Sequence, residues 1–186
     1  QIHVYLESIP DVFHFLKGSE DILHEIPADK VYDLFILLDC GDAQRLGFSA
    51  PLFERAKTSF CIDHHVSNQA FATENYIEPE ASSTCELVYH LLGSDQISEE
   101  IAECLYVGIV HDTGVFRHSC THPSTMCAAA DLMGKGIPFT KIITETFDEK
   151  TFAQNQIMGY ALINAIQFLK GRGVASYVDL EQMVEY

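Results

Sequence analysis

Apolar residues in the first third of the chain occur in short runs that predict strands. IHVYLE (2–7) alternates apolar and polar positions, whereas DLFILLD (33–39) and SFCID (59–63) are nearly continuous apolar runs. A continuous run is typical of a strand in a parallel sheet that is covered on both faces. Helix-like segments, 11–18 and 49–57, separate the three runs. This alternation predicts an α/β fold, a parallel sheet flanked by helices and joined by right-handed crossovers.

The pattern in the middle of the chain becomes helical. Ser83 and Glu86 form a capping-box pattern before STCELVYHLLG, and Ser98 is placed to cap EEIAECLYVGIVHD. Ser49 is the corresponding N-cap candidate of the earlier helix. PSTMCAAADLMGKG and PFTKIITETF predict two further helices. The middle of the chain is therefore expected to cover the sheet with helices.

The pattern also predicts how the chain is divided into domains. Residues 1–148 are expected to form the α/β domain, and 149–171 a long helix that connects two bodies. Residues 172–186 contain the strand-like VASYVDL and EQMVEY, the start of a helix. The chain is thus expected to stop just inside a second domain.

Charge and cysteine content argue against some classes of protein. The 186-residue chain has a formal charge of −16, and its 11 Lys and Arg residues are scattered along it. This distribution argues against long duplex DNA as a partner. The six cysteines show neither a C-x-x-C pair nor disulfide-framework spacing, which predicts reduced thiols and a cytoplasmic protein. No apolar run approaches the ~20 residues of a membrane span, and the N-terminus lacks a signal-peptide pattern.

Acidic and histidine side chains stand at the ends of apolar segments. Asp39 ends the second predicted strand, Asp63, His64 and His65 end the third, and Asp112 ends a helix. Ligands of an open parallel sheet bind outside the carboxyl ends of its strands, so the first two groups are expected to face one crevice. Neighbouring strand residues point to opposite faces, so one histidine can bind a metal while the other reaches substrate or an acid. Carboxylates with imidazole and without thiolate suit Mn²⁺, Mg²⁺ or Co²⁺.

Three ordered motifs give the chain a resemblance to a known family. DHH (63–65) after an apolar strand, preceded by LLDCGD and followed by GIVHDTGVF, resembles the DHH phosphoesterase superfamily. EPEASSTCELVYHLL and FRHSCTHPSTMCAAADLMGKG are similar to its cytoplasmic nanoRNases, which also remove the 3′-phosphate from adenosine 3′,5′-bisphosphate. The resemblance implies metal-assisted phosphoester hydrolysis, in which two ions ~3.5–4 Å apart activate a bridging water and neutralise the phosphoryl oxygens.

The resemblance further implies which residues bind metal. Asp39 matches an aspartate that bridges two ions, and His64 and Asp112 match ligands of one of them. The ions implied are Mn²⁺, or else Mg²⁺ or Co²⁺, with two in the complete protein.

Four more residues are candidates for roles beside the metal. By the resemblance, Asp63 orients the site, and His65 contacts the scissile phosphate or supports a ligand. Arg117 and His118 closely follow the third motif and are candidate contacts to substrate phosphates.

The chain departs from the family pattern at both ends. The family's first motif, roughly H-x-x-P-D-x-D, has no counterpart before Asp39, and HEIPAD (24–29), which echoes it, is interpreted as a loop. Segment 2–7 matches the family's second strand, so the first strand and helix are expected to be missing. Residues 172–186 match only the first strand of a C-terminal DHHA1-type domain. With three ligands instead of about six, we expect at most one weakly held ion and little activity.

The substrates implied are short oligoribonucleotides or a 3′-phosphorylated adenosine nucleotide. A catalytic fragment of a cyclic-dinucleotide phosphodiesterase would share this chemistry, and a non-catalytic nucleotide-binding module that lost the first motif is the alternative from another class. A related pyrophosphatase fits SSTCELVYHLL less well, and a RecJ-like DNA exonuclease is disfavoured by size and acidity. The apolar helical face YALINAIQFL (160–169) is suited to pairing two copies into a homodimer.

Overall fold

The computed structural model describes residues 1–180, and the chain divides into two compact units. The first unit is Gln1–Phe147, and the second begins at Asp148. Among the described residues, no helix is both long enough and apolar enough to cross a membrane.

A parallel three-stranded sheet lies at one side of the first unit. Its strands are β1 (Leu34–Leu38), β2 (Thr58–Asp63) and β3 (Glu74–Ile77), in the order β1-β2-β3. Leu38 pairs with Ile62, so β1 and β2 end at the same edge of the sheet. The predicted α/β fold, a parallel sheet flanked by helices, is confirmed.

Helices of the first unit pack beside this sheet and form the main core. Their bounds are α1 Ala50–Arg55, α2 Thr84–Leu92, α3 Glu99–Asp112, α4 Pro123–Gly134 and α5 Phe139–Ile143, followed by a π-helical turn, Thr144–Asp148. Short 3₁₀ helices lie at Asp11–Phe13, Ser19–Asp21, Ala43–Ser49 and Ser94–Gln96. Helix α3 is central because it contacts α2, α4 and α5, and its Tyr106, Ile109 and Val110 are almost fully buried. Helix α2 also contacts β2, which joins the helical core to the sheet.

Serine side chains cap α2 and α3 as the sequence predicts. The Ser83 hydroxyl accepts a hydrogen bond from the Glu86 N–H at 3.0 Å, and Ser98 caps α3 in the same way. The reciprocal half of the predicted capping box does not form, because the Glu86 carboxylate binds other donors. Ser49 is not a side-chain cap of α1: a 3₁₀ helix leads directly into α1, and the Ser49 hydroxyl donates to the Leu46 carbonyl.

The N-terminal segments predicted as strand and helix are mostly irregular. Segment 2–7 makes a single parallel bridge, between Tyr5 and Leu23, and segment 11–18 contains only a 3₁₀ turn. Both predictions are wrong because alternation produces a strand only where one face has a core to cover, and the apolar side chains on one side of segment 2–7 are exposed. HEIPAD, predicted to be a loop, contains neither helix nor strand.

One face of β1 is open. Leu34, Ile36 and Leu38 are 47%, 53% and 54% exposed, whereas Leu37 on the opposite face is 3% exposed. The prediction of a strand covered on both faces is therefore wrong for β1. The reason is that, among residues 1–180, no element covers this face of the strand.

The second unit begins with a shorter helix than the sequence predicts. Helix α6 (Phe152–Ile163) is followed by an antiparallel hairpin of β4 (Ile166–Phe168) and β5 (Gly173–Ala175). The predicted helix over 149–171 therefore ends early, because 166–168 pair with β5 instead, in a hairpin whose turn has positive φ angles at Leu169, Lys170 and Gly171. For the same reason, YALINAIQFL is not one helical face.

The strand predicted at VASYVDL is only partly present, because β5 ends at Ala175 and residues 176–179 form no strand, whereas EQMVEY lies outside the described residues. None of the described residues of the second unit is fully buried. Its assignment to a DHHA1-type domain stays a prediction.

Candidate metal centre

Asp39 leaves the end of β1 in a left-handed backbone conformation. Its φ is 58°, a region in which aspartate is among the few non-glycine residues found with any frequency. The Asp39 N–H still donates to the Ile62 carbonyl at 3.1 Å, so the residue remains tied to β2. Its side chain is half exposed, and Oδ1 accepts a hydrogen bond from the Thr84 hydroxyl at 2.8 Å. The carboxylate is therefore both fixed and accessible.

His64 is held so that one ring nitrogen faces two carboxylates. Its Nδ1–H donates to the Ala81 carbonyl at 3.2 Å, which leaves the lone pair on Nε2. Nε2 lies 3.5 Å from Asp39 Oδ1 and 3.6 Å from Asp112 Oδ2. The end of β1, the residue after β2 and the end of α3 thus bring three candidate ligands to one place.

Asp63 is fully buried and orients the histidines. Its Oδ1 accepts hydrogen bonds from the backbone N–H of His64 at 2.8 Å, from that of His65 at 3.2 Å and from His65 Nδ1 at 2.7 Å. Its Oδ2 accepts from the Asn68 amide at 2.6 Å. Burial alone would raise the pKa of Asp63, but the hydrogen bonds from Asn68 and His65 outweigh burial, so the pKa lies below its usual value.

His65 lies beside the same carboxylate as His64. Its Nδ1 is 3.8 Å from Asp39 Oδ1, and single ligand atoms of Asp39, His64 and His65 lie within 4.8 Å of one another. Because Nδ1 donates to Asp63, the Nε2 atom of His65 remains for another partner.

Asp112 lies in an environment that disfavours its negative charge. Burial raises the pKa of Asp112, and the nearby Asp39 carboxylate raises it further, while His64 and His65 act in the opposite direction. Two carboxylates and an imidazole nitrogen facing one another form a donor set suited to a hard or borderline divalent cation. A cation would also relieve the repulsion between Asp39 and Asp112. The residues present therefore fit a metal site.

The two candidate phosphate-binding residues, Arg117 and His118, make different contacts. His118 Nδ1–H donates to the Asp112 carbonyl at 3.1 Å. It lies over Gly114, where φ is +56° and a Cβ would be 2.5 Å from His118 Nε2, so a side chain there would displace the imidazole. Arg117 Nε–H donates to the Gly114 carbonyl at 2.7 Å, and the guanidinium lies 5.2 Å from the centre of the Phe147 ring. A substrate contact by either residue stays a prediction.

Sequence patterns did not indicate three partners of the site. These are the Asn68 amide, the Thr84 hydroxyl and the Ala81 carbonyl, which contact Asp63, Asp39 and His64 respectively. A backbone carbonyl leaves no mark in a sequence. Ser82, Ser83 and Thr84 form a run of hydroxyl residues at the start of α2. A helix needs only one of them as its N-cap, so the run indicated that the others have partners elsewhere.

Similarity to other proteins identifies the family of this chain. A sequence profile described as the DHH family, N-terminal domain, matches residues 3–109, more than half of the chain. The chain belongs to the DHH family. The family resemblance predicted from its motifs is thereby confirmed.

Individual relatives of this DHH-family chain are longer than it is. It is 30% identical over 103 residues to the bifunctional oligoribonuclease and PAP phosphatase NrnA of Thermus thermophilus, covering 54% of this chain and 32% of that protein. It is 23% identical over 141 residues to NrnA of Bacillus subtilis, covering 73% and 44% respectively. The crystal structure of an exopolyphosphatase-related protein from Bacteroides fragilis is similar with a TM-score of 0.87 and 26% identity, covering 98% of this chain and 58% of that one. The chain spans less than half the length of the curated relatives it matches.

Proposed function

We propose that this chain is the catalytic part of a metal-dependent phosphoesterase for short oligoribonucleotides or 3′-phosphoadenosine 5′-phosphate. The observation that carries the proposal is the convergence of Asp39 and Asp112 on His64, with carboxylate oxygens 3.5 and 3.6 Å from its Nε2. The substrate class is supported by relatives named as oligoribonucleases and PAP phosphatases.

Three residues would hold the metal ion. Asp39 and Asp112 offer carboxylate oxygens, and His64 offers Nε2 because its Nδ1 is occupied by the Ala81 carbonyl. Mn²⁺, Mg²⁺ or Co²⁺ would supply Lewis acidity toward a phosphate oxygen and toward water. Three protein ligands leave much of an octahedral shell to other donors, so we expect one weakly held ion.

Among the candidate residues, His65 is the best placed to contact a substrate phosphate. The buried Asp63 carboxylate accepts its Nδ1–H, which fixes the ring and leaves Nε2, which donates to a phosphate oxygen when the ring is doubly protonated. This arrangement orients the imidazole without using the ring atom that the substrate needs.

The charge of the chain favours a small substrate. A formal charge of −16 with only 11 Lys and Arg residues repels a long polyanion. A mononucleotide or short oligonucleotide presents few phosphates, so a metal ion and Arg117, with His65 and His118 as hydrogen-bonding groups, would be enough to bind it.

Calorimetric titration with Mn²⁺ tests the metal site. We expect one weak site in the 186-residue chain and its loss in Asp39→Asn and in Asp112→Asn. Asp42→Asn is the matched control, because Asp42 lies in the same loop and its side chain, 46% exposed, contacts Arg45 rather than His64. Two tight sites would contradict the ligand count, and no binding would contradict the metal site itself.

Hydrolysis assays with Mn²⁺ then test the substrate class. We expect slow release of phosphate from 3′-phosphoadenosine 5′-phosphate and slow shortening of a trinucleotide RNA, both lost in His65→Ala while Mn²⁺ still binds. Hydrolysis of a cyclic dinucleotide alone would instead favour the cyclic-dinucleotide phosphodiesterase. Nucleotide binding without any hydrolysis would favour the non-catalytic module.

A further inference from the structure

One turn before α2 contacts two of the candidate metal ligands. The Ala81 carbonyl accepts the Nδ1–H of His64, and the Thr84 hydroxyl donates to Asp39 Oδ1. The first contact selects the ring nitrogen that remains free, and the second fixes the carboxylate. The shape of the turn over 81–84 therefore determines how both ligands are presented.

A buried carboxylate outside the metal centre holds this turn. Glu86 is 2% exposed, and its Oε2 accepts hydrogen bonds from the Ser82 N–H at 3.0 Å and the Ser82 hydroxyl at 2.5 Å. The same oxygen accepts from the Thr125 hydroxyl of α4 at 2.8 Å. Ser82 and Thr125 are themselves 0% exposed, so water does not replace these contacts. Three donors on one oxygen connect the turn to α4.

Packing of α2 against its neighbours does not by itself explain why a charged residue is buried at position 86. Burying a carboxylate is unfavourable unless it is well hydrogen-bonded, and an apolar residue of similar size is often as stable. Two of the three donors to Oε2 come from Ser82, inside the turn, and not from the neighbouring helix. Ser124 of α4 also hydrogen-bonds Glu86, and His90 Nε2 lies 3.7 Å from Oε1, so the carboxylate links the turn over 81–84 to two helices.

We infer that Glu86 is a positioning residue, which sets the tautomer of His64 and the orientation of Asp39 through the turn over 81–84. Glu86 touches neither ligand and acts only through Ala81 and Thr84. The inference rests on the proposed function, since it gives the turn a metal centre to serve.

Two substitutions at Glu86 distinguish its acceptor oxygen from its volume. Glu86→Met keeps the size and removes the acceptor, and we expect Mn²⁺ affinity to fall by about 10-fold, the lower end of the range for direct partners of metal ligands, because Glu86 acts through the turn. Glu86→Gln keeps an oxygen that can replace Oε2, so it is expected to retain most of the affinity. Leu132→Ala is the packing control, because Leu132 lies on α4, is 0% exposed and is outside the turn.

A second measurement requires no metal. Nitrogen-15 NMR of the imidazole in the metal-free protein reports which His64 nitrogen carries the proton. At a pH at which the imidazole is neutral, we expect Nδ1–H alone in the wild type and in Glu86→Gln, and a mixture of tautomers in Glu86→Met. Leu132→Ala is expected to keep Nδ1–H. A tautomer change measured this way does not depend on stability, because folded molecules give the signal.

The outcomes separate the two proposals. If Glu86→Met leaves both tautomer and affinity unchanged, or if Leu132→Ala changes them equally, the positioning role is wrong. If the wild type binds no Mn²⁺, the proposed function is wrong, and the NMR experiment still decides the role of Glu86. Should Glu86→Met fail to fold, Ser82→Ala is the milder test, because it removes the 2.5 Å contact by which the turn side chain holds Oε2; an unchanged tautomer and affinity would then overturn the inference.

Discussion

At the scale of single residues, Asp63 is a buried carboxylate whose burial is favourable only because it is hydrogen-bonded. It is fully buried, and Asn68 supplies the only hydrogen bond described for its Oδ2 within residues 1–180. The same amide also donates to the Cys40 carbonyl at 3.2 Å, just past Asp39. Asn68 thus connects the ends of β1 and β2 directly beneath the candidate ligands.

Asn68→Ala is expected to destabilise the first unit. The substitution leaves one oxygen of a buried carboxylate without a donor, which costs about 3 kcal/mol. Urea unfolding followed by circular dichroism measures the change. Gln69→Ala, at the exposed neighbouring position, is the control and should have little effect. Equal losses in the two variants would show that the Asn68 contact contributes nothing specific.

The sequence could predict which residues meet in the site but not what supports them. Asp39 and His64 were predictable because parallel strands end at one edge of a sheet. The convergence of Asp112 followed only from the family resemblance, since no pattern tells where the end of a helix lies relative to a sheet. Asn68 and Ala81 were not predictable, because their contacts depend on loop conformation.

At the scale of elements, α2 and α3 cross closely at Gly108. A Cβ at this position would lie 2.2 Å from Cys85 Sγ and 3.0 Å from Cys85 Cβ. Burial, with Asp112 and Asp39 nearby, raises the pKa of Cys85 to about 12, so the thiol packs as a neutral group. This close crossing brings the first turn of α2 and the last turn of α3 to the same end of the helix pair.

Gly108→Ala is expected to destabilise the chain by about 1–3 kcal/mol, as overpacking of a core does. In a Cys85→Ala background, the same substitution should cost much less, because the clash with Sγ is gone, the 3.0 Å contact with Cβ alone remains, and alanine favours helix. Thermal or urea unfolding of the four chains in this double-mutant cycle measures the coupling. Additive effects would show that Cys85 does not limit the crossing.

Sequence patterns worked for elements that cover a core. β2, α2 and α3 were predicted because their apolar positions are buried and their caps are formed by Ser83 and Ser98. Segment 2–7 has an equally clear alternation but no core beneath it. The predicted linker helix is wrong after Ile163, because 166–168 pair with β5 in a hairpin that an apolar pattern does not distinguish from a helix.

At the scale of the whole molecule, all described candidate ligands lie in one unit. Asp39, His64 and Asp112 belong to Gln1–Phe147. The second unit has no fully buried residue among those described, and chains below about 40 residues rarely fold without added support. We therefore expect stability and metal binding to be properties of the first unit.

A chain of residues 1–147 tests this expectation. It should melt cooperatively and bind Mn²⁺ with the affinity of the 186-residue chain, because every contact described for the ligands is retained. Circular dichroism melting and calorimetric titration of both chains provide the comparison. Loss of cooperative melting, or a fall in affinity, would show that residues after 147 support the site.

The positive φ of Asp39 affects how mutagenesis of this site is read. Alanine there removes the carboxylate and also places a residue with a Cβ and no local polar contacts in the left-handed region, whereas asparagine is tolerated there. Asp112 ends a helix, so alanine changes only its side chain. An alanine scan would consequently attribute to the Asp39 carboxylate a defect that belongs partly to the main chain.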